Sequence, residues 1–407
     1  MRLVAATAAL VAYCAAALPA QTPALSGPLT YAQALDLASS RNLAVAAARR
    51  ARAIREGALK TAGLRPNPSA SFEVSRDTPH EVFVFALPVE LGGKRGRRID
   101  LATEELTLAD VDVQTELRTV RRELRQAFYS VIAADERIRL ADSLVELARR
   151  VRDVAQAMFE TGAAPRLDVL AADLGVARAE TEMDLARGTR MFEQARLNAV
   201  LDFPPQQATL VAGSLTEGIA DLTYERALTI ATASNVDLIA LDRQIAVEER
   251  RVAVLRAERT PTPTFSVSSL FSNPGEFSAG AGAGVSVELP LFGRNQGQIA
   301  ESLATTAQLR ARRESTRRVV ENTIAGTVAR IDAERRQIEA FERRLVPTAT
   351  DLQALAEESY RAGRTSVLGL LESQRVLREL RRDALQAALD LQLSIAELEE
   401  ILGTALR

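Results

Sequence analysis

Tryptophan is absent from this chain, and histidine and cysteine occur once each, as His80 and Cys14. A Ser-His-Asp triad, a Cys/His zinc site and a disulfide framework all need more His or Cys than that. His80 falls between two strand patterns, where an exposed loop residue is the plain reading. Lysine is nearly missing too: the basic residues are 49 arginines plus Lys60 and Lys94. Acids balance them, 53 Asp+Glu against 51 Lys+Arg, so no basic excess points to nucleic acid. Aromatics make up 4% of 407 residues, which excludes a core built on large rings. Beyond the N-terminus no apolar run reaches the length of a membrane helix. A membrane β-barrel stays open, because its short alternating strands barely register in hydropathy. With no Gly-rich phosphate loop and no metal-ligand spacing, neither an enzyme nor a bound cofactor or metal is expected.

Residues 1–20 read as an export signal. Arg2 supplies the positive start, Leu3 to Leu18 is apolar, and Leu18-Pro19-Ala20 precedes Gln21, so cleavage is expected after Ala20. Sixteen apolar residues fall short of the roughly 20 that a helical span needs. Tyr13, just before Cys14, is too bulky for the small residue expected before a lipidated cysteine. Cleavage there removes the one cysteine, which suits an oxidising compartment.

What is present is a repeat. Leu29-Thr30-Tyr31, Ala34-Leu35, Ala38 and Asn42 return as Leu222-Thr223-Tyr224, Ala227-Leu228, Ala231 and Asn235. Pro66-Asn67-Pro68 is answered by Pro261-Thr262-Pro263, Leu87-Pro88 by Leu289-Pro290, and Gly162 by Gly363. The order holds throughout, so the chain reads as two copies of one unit, 29–202 and 222–407, joined by a linker over 203–221. Each copy is expected to hold a helix, a strand pair (68–90 and 263–291) and a helical hairpin (98–201 and 298–403).

The hairpins carry a heptad seam. Val113, Leu117, Val120, Leu124, Ala127, Val131, Ala134, Ile138, Ala141, Val145 and Ala148 follow a 3-4 spacing without Pro or Gly. A helix from Ile99 to about Thr161 would be roughly 95 Å long. Gly162-Ala163-Ala164-Pro165 turns it back. Val320, Ile324, Ile331, Ile338, Phe341 and Leu345 repeat the seam, Pro347 predicts a kink, and Gly363 marks the second turn.

The strands alternate. Ala70, Phe72 and Val74 interleave with Ser71, Glu73 and Ser75, and Ala281 to Leu291 interleave with Gly282, Gly284, Ser286 and Glu288. The loops Asp77-Thr78-Pro79-His80 and Asn273-Pro274-Gly275-Glu276 join each pair. Strands of about 9–11 residues would span a membrane, but four cannot close a barrel, so several copies would have to contribute.

On these features the chain resembles the TolC-like outer membrane efflux family. They are the doubled Leu-Thr-Tyr opening, the proline-bracketed strand pairs, and the Phe159-x-x-Gly162 and Tyr360-x-x-Gly363 turns. Leu87 to Arg95, with Gly92-Gly93-Lys94-Arg95, looks like the heavy-metal (cobalt-zinc-cadmium) subgroup. The resemblance implies a mostly α fold with a membrane β part. It implies a homotrimer with a twelve-stranded barrel in the outer membrane of a Gram-negative bacterium and a helical tunnel in the periplasm. It also implies a periplasmic adaptor and an inner-membrane pump of the RND type as partners. The family's periplasmic gate carries an Asp-Val-Leu-Asp pattern after each turn. Asp168-Val169-Leu170-Ala171 keeps its first acid, and Gly369-Leu370-Leu371-Glu372 keeps its second. Asp168, Glu372 and Tyr360 are therefore the candidate gate, and Gly162, Gly363 and Arg364 the candidate docking site for an adaptor. The expected function is a passive export duct for metal cations, with drugs or a type I secreted polypeptide as alternative cargo. A periplasmic adaptor is the other class, but it would place one hairpin between lipoyl-like and barrel domains.

Overall fold

A computed structural model of the chain describes residues 27–216, 222–271 and 279–406. The export signal, Cys14 and the 273–276 loop lie outside the described residues.

The repeated opening motif is a pair of helix caps. Thr30 caps α1 (Tyr31–Arg41): its hydroxyl accepts from Gln33 N, and the Gln33 side chain accepts from Thr30 N, closing a reciprocal box. Ala34 and Ala38 are buried beneath it. Asn42 then caps α2 (Leu43–Ala62) through Ala44 N at 2.9 Å, while its Nδ2 donates to Val200 O at 3.1 Å. The second copy does the same. Thr223 caps α5 (Tyr224–Ser234), and Asn235 caps α6 (Val236–Ala257) while donating to Ile401 O at 2.7 Å. Each Asn thus starts one helix and clamps the last turn of another, which explains the choice of residue at that spacing.

Between them in sequence lie α3 (Lys94–Glu160) and α4 (Arg166–Leu201), an antiparallel hairpin whose first arm is 67 residues, about 100 Å. The second hairpin runs through α7 (Gln296–Ala340), a π-helical turn (Phe341–Leu345) and α8 (Val346–Arg361), and returns as α9 (Val367–Leu402). The kink expected at Pro347 is met by that π turn just upstream. Proline offers no N–H and crowds the carbonyl four residues before it, and widening the preceding turn relieves both. The main core lies where the hairpins meet the short helices. Leu124, Phe128, Val131, Leu197, Ile324, Leu391 and Leu398 are buried there. The described part of the 203–221 segment is firmly held. Asn198 donates to three of its carbonyls and accepts from Thr209, and Leu29 pairs with Val211.

At the opposite end from the hairpin turns, β1 (Ser69–Val74), β2 (Glu81–Pro88), β3 (Pro263–Phe271) and β4 (Ala279–Val287) form one antiparallel sheet in that order. β1 has six residues and β2 eight, shorter than the sequence pattern, and β1 pairs with β2 alone. Leu289 and Leu291 lie beyond β4. The register resolves the stretch Val82–Val89, which is apolar at every position. Phe85 pairs with Ala70 and Val267, Phe83 with Phe72, and Leu87 with Phe265. These partners share one face. Phe72, Phe83, Phe85, Leu87, Phe265, Val267 and Val285 all stand exposed on it. The other face carries Ser71, Glu73, Ser266, Ser268, Gly282 and Gly284 beside Val82 and Val84. A contiguous exposed apolar face of this kind marks a lipid or protein contact. Among the described residues no helix is long and apolar enough to cross a membrane.

Candidate gate and docking site at the hairpin ends

Both hairpins turn by the same device. After α3, Gly162 adopts φ +76°, and Gly162 N and Ala163 N return to Phe159 O and Met158 O at 3.0 and 2.8 Å. After α8, Gly363 adopts φ +66°, and Gly363 N and Arg364 N return to Tyr360 O and Ser359 O at 2.9 and 2.8 Å. The left-handed residue lets the chain reverse while satisfying the last helical carbonyls. A Cβ at either glycine would meet nothing within 4 Å, so both turn surfaces are open. Arg364 is exposed beside the second turn, its guanidinium without a partner among the described residues.

The two ends are held to each other by a small apolar cluster. Val151 and Ala155 of α3, Ala172 of α4, Tyr360 of α8, and Val367 and Leu370 of α9 are buried together. Tyr360 is only 2% exposed, and its hydroxyl donates to Asp168 Oδ2 at 3.3 Å, joining the second hairpin to the first. Burial, and then the Asp168 carboxylate, push the phenol above its ordinary value, so it remains the donor. Asp168 sits in the first turn of α4, where the helix dipole favours a negative charge.

Glu372 is not part of that pair. It forms a bidentate bridge to Arg375 at 2.8 and 3.0 Å, and this hydrogen bonding holds its carboxyl below the usual range. Both residues are exposed and line an open cleft of about 330 Å³ between α3, α4 and α9. The candidate acids therefore differ: Asp168 accepts from a phenol and makes no ion pair among the described residues, whereas Glu372 is paired with a neighbouring arginine. The Arg375 partner was legible from its i,i+3 spacing and was missed. The Tyr360 partner was not legible, because 192 residues separate it from Asp168. Among the described residues no group of three or more His, Cys, Asp or Glu could hold a metal ion.

Two long hairpins ending in open glycine turns, opposite a sheet with an exposed apolar face, make a distinctive arrangement. The family model described as outer membrane efflux protein matches residues 31–201 and 227–404. The chain belongs to that family. The cobalt-zinc-cadmium resistance protein CzcC of Cupriavidus metallidurans is 27% identical over 366 residues, which cover 88% of this chain and 85% of that protein. The nickel-cobalt-cadmium resistance protein NccC of Alcaligenes xylosoxydans xylosoxydans is 25% identical over 255 residues, 61% of this chain and 55% of its own length. The solved channel CusC superposes with a TM-score of 0.76 at 14% identity, covering 92% of each chain. CzcC and NccC bear out the heavy-metal subgroup read from the sequence, and CusC the fold. As a family member the chain is an efflux protein of the Gram-negative outer membrane, with its helical part in the periplasm. Its family and fold are those of passive channels, and its homologues are the outer membrane components of tripartite efflux systems.

Proposed function

We propose that three copies of this chain form a closed twelve-stranded barrel continued by a periplasmic helical tunnel, and that the duct passes divalent metal cations. The sheet carries this reading. One face is apolar and exposed, the other carries Ser, Gly and Glu73 around Val82 and Val84, and β1 and β4 end the sheet with unpaired edges. In lipid each unpaired backbone group would cost several kcal/mol, so the edges must meet those of neighbouring copies. The Ser/Gly face would then line the lumen. The mature protein is expected in the outer-membrane fraction as a trimer that needs detergent for extraction; a soluble monomer would refute it.

The cargo reading rests on the cobalt, zinc, cadmium and nickel named for CzcC and NccC. Cations would be driven through by an inner-membrane RND pump and a periplasmic adaptor, and the chain acts as a conduit, not a catalyst. A strain lacking the protein should become more sensitive to cobalt, zinc or cadmium while its drug sensitivity stays unchanged. The reverse pattern would assign the duct to drugs. The two repeats, 29–202 and 222–407, each contribute one strand pair and one hairpin. The adaptor meets the hairpin ends at Gly162, Gly363 and Arg364.

Asp168, Glu372 and Tyr360 form the gate in this reading. The Tyr360–Asp168 hydrogen bond holds the two hairpin ends together, and threefold repetition concentrates carboxylates near the axis. Tyr360→Phe is expected to raise open probability in single-channel recordings without altering selectivity. Asp168→Asn with Glu372→Gln should lower cation selectivity, with most of the loss already present in Asp168→Asn because Arg375 compensates Glu372. Unchanged recordings in both variants would remove these residues from the gate.

A further inference from the structure

At the base of the sheet, where the helices leave it, seven cations crowd one level of the molecule. They are Arg65, Lys94, Arg95, Arg97, Arg98, Arg259 and Arg294, against the carboxylates Glu90, Asp100 (paired with Arg97), Glu258 and Glu288, a net +3 per chain. Contacts between the segments fix them at that level. Lys94 Nζ donates to Thr262 Oγ1 at 2.5 Å, Arg98 bridges Glu90 and also donates to Leu64 O, and Val89 N donates to Pro263 O.

Three of the arginines are held in the same way. Arg95 donates through Nε to Gly63 O at 2.7 Å, Arg259 through Nε to Arg294 O at 2.8 Å, and Arg294 through Nε to Pro290 O at 3.1 Å. A guanidinium anchored by Nε on a backbone carbonyl leaves its two terminal amino groups presented together, the fork that suits a phosphate. All three are exposed, and Arg65 beside them has no partner among the described residues. None of these forks meets a carboxylate among the described residues.

The same level carries exposed apolar side chains. Leu91, Leu289 and Leu291 stand out from the surface, and Phe292, next but one to Arg294, is 91% exposed. A solvated loop gains nothing from an exposed Leu-Phe pair. Beside the apolar face of the sheet it has a solvent, because acyl chains would cover Leu291 and Phe292 while phosphates lie level with the arginines.

We propose that this rim is a binding collar for anionic phospholipid headgroups of the periplasmic leaflet, with Arg95, Arg259 and Arg294 as phosphate forks and Leu291-Phe292 as the acyl-level anchor. It rests on the reading that the sheet spans the outer membrane. Free phosphate could satisfy the forks but not the apolar anchor, and the continuity of arginines, Phe292 and sheet face favours lipid. The collar would fix the depth of the barrel in the bilayer.

The test uses the full mature protein in detergent, with fluorescently labelled phosphatidylglycerol or phosphatidylcholine retained on size exclusion. The wild type should retain phosphatidylglycerol in preference to phosphatidylcholine. Arg95→Gln/Arg259→Gln/Arg294→Gln should lose that retention by about tenfold, the scale of one hydrogen bond to a charged group, while phosphatidylcholine retention stays the same. Equal phosphatidylglycerol retention by wild type and variant would overturn the collar. Displacement of the lipid by inorganic phosphate alone would overturn the lipid assignment. If the triple variant does not fold, the wild type decides: its phosphatidylglycerol retention must fall with rising salt, and salt-independent retention overturns the proposal. Absence of the protein from the outer-membrane fraction would instead refute the spanning reading itself.

Discussion

Replacing Gly162 and Gly363 together by Val is expected to reduce export to background while leaving the sheet, the trimer and the membrane location intact. Both glycines sit at positive φ, where a Cβ costs about 1–2 kcal/mol and a β-branched side chain more. No atom lies within 4 Å of a Cβ built at either position, so the cost is backbone strain and not a clash. The turn must then reshape, moving the carbonyls that Ala163 and Arg364 now satisfy. The apolar cluster around Tyr360 begins one turn away, so the damage reaches the paired hairpin ends but not the sheet, about 100 Å along α3. Export of the cation and trimer recovery are measured side by side. Export at normal levels with the double variant present in the membrane would show that the turns are not where the adaptor meets this chain. The corresponding Ala pair should fall between, because Ala carries the same φ penalty without the β-branch.

Much of this fold was legible because it is written in short-range periodicities. A 3-4 seam over Val113–Ala148 dictates a long amphipathic helix, and alternation over Ala70–Val74 dictates a half-apolar strand. The doubled Thr and Asn positions are caps, and a cap is a local hydrogen bond that sequence spacing alone specifies. Three things were not legible. The face of Val82–Val89 depended on register, since apolar residues at every position give no alternation, and only pairing with Phe72 and Phe265 sorts them. The π turn at Phe341–Leu345 depended on how an otherwise unbroken helix absorbs Pro347. The partner of Tyr360 depended on two hairpins meeting at their far ends, which no local pattern encodes. At the proposed gate, the residue types were legible but not all of their partners, because Asp168 and Glu372 differ through their neighbours.

Arg125 shows the same limit most strongly, and its loss should produce the largest change in stability. It lies beside the helical seam of α3, next to Leu124, where the heptad pattern places a surface residue, yet it is 2% exposed. Its guanidinium donates to Glu399 Oε1 and Gln392 Oε1, each at 2.9 Å. The rings of Tyr31 and Tyr129 flank it at 5.4 and 5.3 Å. Glu399, equally buried, also accepts from Leu406 N at 2.8 Å, so the cluster ties α1 and α3 of the first repeat to α9 and the C-terminal residues of the second. Arg125→Met leaves Glu399 buried without its ion-pair partner, with only the more distant Arg121 to offset it, and breaking such a pair costs about 3–5 kcal/mol. Removing both charges, Arg125→Met with Glu399→Leu, should recover most of that loss, since a packed apolar pair avoids the burial penalty. The pH dependence follows from the direction of the shift. Burial already raises the Glu399 carboxyl above its ordinary 4.5 against the opposing pull of Arg125, and without Arg125 it rises further. An acid with a raised folded value binds its proton more tightly when folded, so stability falls as pH rises from 4.5 through that raised value and is flat beyond it. The Arg125→Met deficit should therefore be small near pH 4 and full at pH 8, and the double variant should show no such slope. Denaturant half-times of the detergent-extracted protein at the two pH values measure it. A deficit independent of pH would mean that Arg125 stabilises through packing on Tyr31 and Tyr129, and that its charge on Glu399 contributes little.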